Sequence, residues 1–181
     1  MSGLSETQAG VLRGMAAGLA ATLVALGAAV ALAPQALLPG PGRAAALVHA
    51  LAWDLLAVAC LAINIALLAR HRFFEPADID GGGLTAGTPT ARVLQATLQN
   101  TLEQTVLAVA THAVWAATMP RHWQAAVPAA AVLFAAGRIL FWRGYAHGAA
   151  ARALGFALTF YPSVVMLVVL AARAVARGLA S

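Results

Sequence analysis

A narrow stripe of polar side chains runs along the first half of one otherwise apolar stretch, residues 92–119. A helix turns about 100° per residue, which confines the stripe to roughly 80° of the helix circumference, with Asn100 on its flank. A cation, an anion and amides arranged in this way can bind a small charged ligand. In a bilayer they must face protein or a wet cavity, because ionisable groups at membrane depth cost several kcal/mol. The stripe consists of Arg92, Gln95, Gln99 and Glu103.

A second polar group is spaced at intervals of seven residues and consists of Arg138, Tyr145 and Arg152. If one helix continues through all three, they share a face that drifts by about 20° per heptad. Arginine binds carboxylates through paired hydrogen bonds and keeps its charge in a poorly hydrated site. The two groups together favour an anionic small ligand. An interhelical network of ion pairs explains the same residues equally well.

The composition decides which elements position these groups. The chain has 181 residues, of which 62% are hydrophobic and 9% charged, whereas a soluble domain has about 25% charged residues. This excludes a soluble bundle and predicts an all-α integral membrane protein. Five apolar stretches are long enough to cross a bilayer as helices. They are residues 11–33, 44–68, 92–119, 124–142 and 152–176.

The connections between these spans are short, except for residues 73–90. That segment contains three consecutive glycines and two prolines, so we expect an irregular loop, either a lid over a site or a disordered segment. Asp54 lies deep in the second span without a visible partner, which favours a packing anchor between helices over a proton relay. Cys60 stands alone and is expected to be a buried structural residue. No metal site is expected.

The charge pattern indicates orientation and not nucleic-acid binding. All eleven cationic residues are arginine, against six acids, and they stand singly at the ends of apolar stretches, where they act as topology signals and contact anionic lipids. The side with more arginine is expected to be cytoplasmic, so the N-terminus and the 70–92 loop should lie there. The arginines on that side are Arg13, Arg70, Arg72, Arg92, Arg138, Arg143 and Arg152.

Segments 99–103 and 138–145, followed by Arg152, resemble the MAPEG family (membrane-associated proteins in eicosanoid and glutathione metabolism). The family pattern has Asn-x-x-Glu in one helix and later an Arg, an aromatic residue three positions on, Gly-Tyr, and an Arg seven residues after the Tyr. The likeness covers about residues 44–178, on four apolar spans. The residues that match in type and spacing are Asn100, Glu103, Arg138, Gly144, Tyr145 and Arg152.

The resemblance implies a four-helix protomer, a homotrimer, and glutathione as co-substrate, bound between neighbouring subunits near the cytoplasmic face. Arg152 matches the catalytic arginine that stabilises the glutathione thiolate, and a nearby cation does lower a thiol pKa. The substrates are expected to be lipophilic electrophiles or hydroperoxides that partition into the bilayer. The residues expected to hold glutathione are Arg92, Gln99, Asn100, Glu103, Arg138 and Tyr145.

Three positions depart from the pattern of active family members. Ala96 stands where an arginine is usual, with Arg92 one turn farther out. Phe141 replaces a tyrosine found in some members, and Gln104 replaces a common aromatic residue. The leading function is therefore a glutathione-dependent transferase or peroxidase. The alternatives are a non-catalytic lipid- or ligand-binding protein and a structural subunit in which Arg92, Glu103 and Arg152 form only interhelical ion pairs.

The sequence is expected to divide into an N-terminal transmembrane helix and loop, residues 1–43, and a MAPEG-like four-helix membrane domain, residues 44–181. The additional first helix is nearly uniform Ala, Leu and Val with small residues, so we expect it to pack on the outside of the four-helix core. The protein is expected to be a multi-pass protein of a bacterial inner membrane, with its N-terminus and its site facing the cytoplasm. Its partners are then membrane lipids and lipophilic small molecules.

Overall fold

A computed structural model describes residues 3–178 of the chain, and these residues form a bundle of five α-helices. Four of the helices are long and apolar enough to cross a membrane, which confirms the all-α integral membrane fold. The third helix, with 30 residues, is also long enough, but its polar stripe lowers its mean hydropathy. The helices are α1 (Glu6–Leu32), α2 (Arg43–Phe74), α3 (Pro89–Thr118), α4 (Ala126–Tyr145) and α5 (Ala149–Gly178).

The helices on the two sides of the 73–90 segment extend farther than the sequence predicted. α2 continues to Phe74, a short 3-10 turn spans Pro76–Asp78, and α3 begins at Pro89. The expectation of a wholly irregular loop is therefore wrong at both ends. Proline is favourable in the first turn of a helix because no N–H is needed there, and the Thr88 hydroxyl accepts a hydrogen bond from Ala91 N.

One helix does not continue through the second polar group. α4 ends at Tyr145, and the chain reverses through a short turn in which Gly148 has a φ of +97°. Glycine adopts this left-handed conformation without the steric cost that a side chain would impose. The connection predicted between the fourth and fifth spans is therefore a tight turn, although the sequence contains no proline there. The consequence is that Arg138 and Tyr145 lie on one helix, while Arg152 lies on its antiparallel neighbour.

α4 and α5 pack with their backbones in contact, because glycines face each other across the pair. A Cβ atom added to Gly137 would lie 2.8 Å from the Gly155 carbonyl oxygen. Small residues at interfaces permit such close approach between membrane helices. The contact brings the inward face of α5, including Thr159, up to Arg138 of α4.

The first helix packs along α5 and, to a smaller extent, along α4. Its contact face carries Gly10, Gly14 and Gly18, spaced four residues apart, which lie against alanines of α5. A Cβ atom at Gly14 would lie 2.9 Å from the Cβ of Ala153, whereas Gly27 has no atom within 4 Å of that position. Backbone-close contact is therefore confined to the start of α1, whereas near its end the two helices meet through larger side chains such as Leu26 and Met166.

The expected anchor in the second span joins α2 to α3. His112 Nδ1 donates a hydrogen bond to Asp54 Oδ1 at 2.6 Å, and both side chains are buried. Farther along α2 and α3, Ala57, Cys60 and Ala108 form an apolar cluster with Phe134 of α4. Cys60 is buried, as the sequence predicted.

Candidate functional site

Arg138 is the centre of the polar group inside the bundle. Its side chain has no exposed surface, although it carries a charge. The guanidinium donates from Nη1 to Asn100 Oδ1 at 2.9 Å and from Nη2 to the Thr159 hydroxyl at 2.7 Å, with a longer contact of 3.4 Å to Thr101. Arg138 thus joins α3, α4 and α5, and it confirms that two sequence-predicted site residues, Asn100 and Arg138, are neighbours.

Aromatic rings connect Arg138 to the end of the bundle. Its guanidinium lies 4.4 Å from the ring centre of Phe141, and that ring meets Tyr145 edge-on at 5.3 Å between centroids. The guanidinium of Arg152 lies over the Tyr145 ring at 4.4 Å. A cation is attracted to the face of an aromatic ring, so Tyr145 holds Arg152 in place. Arg152 lies in the first turn of α5, where the helix dipole is positive.

The polar stripe of α3 divides into two directions. Asn100 points inward to Arg138, while Gln99 and Glu103 stay exposed on the surface of the protomer and are joined by a hydrogen bond of 2.9 Å. Gln99 and Asn100 are neighbours in sequence and therefore about 100° apart on the helix. Glu103 lies near the middle of α3, where a carboxylate facing lipid would cost several kcal/mol.

A cavity of about 360 Å³ lies beside this stripe, under the 75–88 segment. Two arginines, Arg72 and Arg92, and two amides, Gln95 and Gln99, line it together with glycines of the loop. Arg72 Nη2 donates to Gln95 Oε1 at 3.1 Å. The cavity therefore offers two cations and amide groups to a ligand. Arg72 was counted from the sequence only as a topology signal, because its place in the fold depends on the loop.

The 75–88 segment is fixed at its base by Asp78. This carboxylate is buried and accepts hydrogen bonds from Thr88 N at 2.8 Å, from the Thr88 hydroxyl at 2.5 Å and from His71 Nε2 at 2.8 Å. The hydrogen bond from the Thr88 hydroxyl, followed by those from Thr88 N and His71, lowers the pKa of Asp78 below its ordinary value of 3.8 and outweighs desolvation. We call these three residues the loop latch.

The described residues do not bring every predicted site residue together. Arg92 and Gln99 line the cavity, Asn100 and Arg138 lie inside the bundle, and Arg152 and Tyr145 lie at the helix turn. Within residues 3–178, Glu103 contacts only Gln99 among polar partners, and no ion pair joins Arg92, Glu103 and Arg152. The structural alternative built on those ion pairs therefore has no support inside one protomer.

The site has an excess of positive charge. The ion pairs among the described residues involve histidines, His71 with Asp78 and His112 with Asp54, and none involves an arginine. Arg138 and Arg152 are surrounded by neutral amide, hydroxyl and aromatic groups. Arginines in such surroundings attract an anion. No group of three metal-ligating side chains occurs in the described part of the chain.

Sequence reasoning missed several residues that complete these contacts. Thr159 belongs to an apolar stretch with no motif, so no signal identified it. Thr101 and His112 lie on the same helix as the stripe but on its inward side. A signal existed for His112, since a buried acid needs a partner and this histidine lies in the adjacent span.

The sequence model of the MAPEG family matches residues 16–172 of this chain. The match begins inside α1 and ends inside α5, so it includes all the contacts of the candidate site. No curated protein and no solved structure matches the chain.

Proposed function

Because the chain belongs to the MAPEG family, we propose that it is a membrane-embedded, glutathione-dependent transferase or peroxidase acting on lipophilic electrophiles or hydroperoxides. The observation that carries this proposal is the group of two cations, Arg138 and Arg152, that lack an acidic partner and lie beside Asn100 and Tyr145. A thiolate with its peptide carboxylates supplies the negative charge that these two guanidinium groups lack in the protomer.

Arg152 is the proposed catalytic residue. A free thiol has a pKa near 8.5, and a cation beside the sulfur lowers it, so more of the nucleophilic thiolate forms at neutral pH. The first turn of α5 adds its positive dipole to the guanidinium. The thiol proton passes to solvent, and the thiolate sulfur bonds to the electrophilic carbon as a leaving group departs from it or, in an addition, as the adjacent carbon takes up a proton. With a hydroperoxide the thiolate attacks one oxygen of the O–O bond, and the other oxygen leaves as the alcohol after taking up a proton. A second glutathione thiol then displaces water from the resulting sulfenic acid and forms the disulfide.

The remaining polar residues are proposed to bind the peptide part of glutathione. Arg92 and Gln99 line the cavity and provide a cation and an amide, while Asn100 is held by Arg138. Arg72 and Arg92 together offset the arginine that Ala96 replaces, because both face the same cavity. Glu103 is proposed to take the ammonium group of the ligand, and Tyr145 to contact the ligand through its hydroxyl.

The active form is proposed to be a homotrimer with the site between subunits, on the cytoplasmic face of a bacterial inner membrane. The exposed carboxylate of Glu103 at the middle of α3 supports an oligomer, since a neighbouring subunit would shield it from lipid. We also propose the division at residue 43 into an additional N-terminal helix and a four-helix domain. The outward position of α1 on α5 and α4 supports it.

A second candidate is a non-catalytic binding protein that keeps the scaffold. Two positions favour it, since Ala96 and Phe141 lack the guanidinium and the hydroxyl of active members. Such a protein would bind glutathione or a lipid without activating the thiol. The two candidates differ in one measurable property, the pKa of the bound thiol.

The test is an ultraviolet titration of the glutathione thiolate bound to the purified protein, with Arg152→Ala and a matched control, Arg143→Ala. Arg143 lies in the last turn of α4 and is exposed, so its removal changes the charge equally. We expect Arg152→Ala to raise the bound thiol pKa and to reduce turnover more at about pH 7 than at about pH 9, where the thiolate forms unaided. Arg143→Ala should change neither quantity.

Thermal stabilisation separates binding from activation. Glutathione and its S-methyl analogue, which cannot form a thiolate, should both stabilise the wild-type protein, and Glu103→Gln should reduce both effects. If glutathione still binds to Arg152→Ala with an unchanged thiol titration, the binding-protein candidate replaces the enzyme. If neither compound stabilises the wild-type protein, the glutathione proposal fails.

A further inference from the structure

A second polar cavity lies at the opposite end of the bundle, between the first turn of α2 and the chain that follows α3. Its volume is about 220 Å³, room for about seven water molecules at about 30 Å³ each. Spanning helices end where lipid headgroups meet the apolar core, so the cavity lies at headgroup level. It belongs to the membrane face away from Arg138 and Arg152, and the proposed glutathione chemistry does not use it.

Two arginines line this cavity, Arg43 and Arg121. Arg121 Nε donates to the Pro39 carbonyl oxygen at 2.8 Å, which fixes the guanidinium and leaves its terminal N–H groups for a ligand. Neither arginine forms an ion pair within residues 3–178. The sequence contains no acid between Glu6 and Asp54 and none after Glu103, so side chains near the cavity supply no carboxylate.

The start of α2 adds backbone donors to the same wall. Gly42 precedes the helix, lines the cavity and provides no side-chain cap. The N–H groups of Arg43, Ala44 and Ala45 have no acceptor in the described part of the chain, and Arg43 is the one of these three residues that lines the cavity. The first N–H groups of a helix point outward and carry partial positive charge, which suits a phosphate.

Gln124 provides an independent indication of a ligand. Its side chain is only 1% exposed and lines the cavity. Nε2 donates to the Met119 carbonyl oxygen at 3.1 Å, and this bond sets the direction of the amide. Oε1 has no partner although it is buried. A buried acceptor without a donor is costly, and an occupant that carries an N–H or O–H group in addition to its negative charge would supply that donor.

We propose that this cavity binds a phosphate ester that also carries a hydrogen-bond donor, and that its source is a phospholipid headgroup such as phosphatidylethanolamine in the adjacent leaflet. The phosphate lies between Arg43, Arg121 and the first N–H groups of α2. The ammonium group donates to Gln124 Oε1. Phosphatidylcholine has the same phosphate but no N–H, so it satisfies only half of the site.

The experiment measures lipid binding to the purified full-length protein by native mass spectrometry and by thermal stability in detergent. The probes are phosphatidylethanolamine, phosphatidylcholine, diacylglycerol and inorganic phosphate. The variant is Arg43→Gln with Arg121→Gln. The matched control is Arg173→Gln with Arg177→Gln, which removes the same charge from the same end of the bundle but not from this cavity. Circular dichroism without added lipid establishes that both variants fold.

We expect wild-type protein and control to bind phosphatidylethanolamine more tightly than phosphatidylcholine, and to be unaffected by diacylglycerol. Removal of both cavity arginines should weaken phosphatidylethanolamine binding about thirtyfold, given the usual contribution of each arginine near anionic lipid. Protection by inorganic phosphate equal to that by the lipid would identify a free phosphate as the source.

Two results would overturn the proposal. Equal binding of phosphatidylethanolamine by the cavity variant and the control would show that Arg43 and Arg121 hold no phosphate. Equal binding of phosphatidylethanolamine and phosphatidylcholine by the wild-type protein would remove the role of Gln124.

Discussion

Arg138 carries a charge in a place where no acidic side chain of the described chain meets it. Three neutral oxygens, from Asn100, Thr101 and Thr159, accept its hydrogen bonds, and the ring of Phe141 lies against its guanidinium. Removing the Arg138 side chain would take a hydrogen-bond donor from each of these oxygens. Inside the bundle, water cannot replace the guanidinium as that donor. This residue therefore has a structural role in addition to any contact with a ligand.

We expect Arg138→Ala to destabilise the folded protein by about 2–5 kcal/mol, from three interhelical hydrogen bonds of roughly 0.6–1.7 kcal/mol each. Arg143→Ala on the same helix removes the same charge from an exposed position and should cost less than about 0.5 kcal/mol. Thermal unfolding in detergent measures both. Equal losses for the two variants would mean that the contacts of Arg138 contribute nothing specific.

The residue types of the site could be read from the sequence, but their directions could not. The Asn-x-x-Glu pattern and the spacing from Arg138 to Arg152 indicated two polar groups on membrane helices. Whether Asn100 or Gln99 points inward depends on how α3 is rotated against α4, and the apolar pattern of α3 is too uniform to determine this. His112 was missed because its partner, Asp54, lies on another helix.

At the scale of elements, the loop latch controls the wall of the larger cavity. Asp78 ties the segment between α2 and α3 to Thr88 and His71, and the glycines of that segment lie close to Arg72. Because the pKa of Asp78 is lowered in the folded protein, the latch stabilises the fold above the ordinary pKa of 3.8 and loses this effect as the pH falls through the folded-state value.

We expect Asp78→Asn to open the 79–87 segment, because an amide cannot accept from Thr88 and His71 through both of its terminal atoms. Limited proteolysis at neutral pH should then cut this segment faster than in wild-type protein. Wild-type cleavage should rise on acidification toward pH values below 3.8, measured with an acid-active protease, while the variant should show little pH dependence. Asp80→Asn, an exposed neighbour, is the control. A wild-type rate of cleavage in the Asp78 variant would contradict the latch.

The close packing of the first half of α1 against α5 leads to a second prediction at this scale. Gly14→Leu should destabilise the protein by about 1–3 kcal/mol through overpacking, because a Cβ there already lies 2.9 Å from Ala153. Gly27→Leu lies on the same helix where no atom is within 4 Å, so it should be tolerated. Thermal unfolding of both variants measures the difference, and equal stability would argue against close packing at Gly14.

The elements themselves were predicted more accurately than their ends. Apolar length located all five helices, since each of the predicted stretches lies largely inside one of them. The ends were missed where polar residues continue a helix beyond the apolar core, as at Arg72 in α2. A short connection between the fourth and fifth spans was predicted, but the helix ends beside it were missed, because Gly148 is the only strong turn signal there and a single glycine is compatible with a helix.

For the whole molecule, the exposed carboxylate of Glu103 predicts an assembly. A protomer alone would present this charge to lipid at the middle of α3, so we expect a closed homotrimer that covers it. Native mass spectrometry in mild detergent should show three copies. Only monomers under conditions that preserve glutathione binding would count against a site between subunits.

The pairing of the first helix with the last has a consequence for synthesis. α1 enters the membrane first, yet its glycine face finds its alanine partners only when α5 emerges, more than a hundred residues later. At about 5–20 residues per second this interval lasts roughly 6 to 23 seconds. During that time the glycine face of α1 is covered only by lipid or by the insertion machinery. A chain stalled before α5 therefore displays an unpaired small-residue helix face.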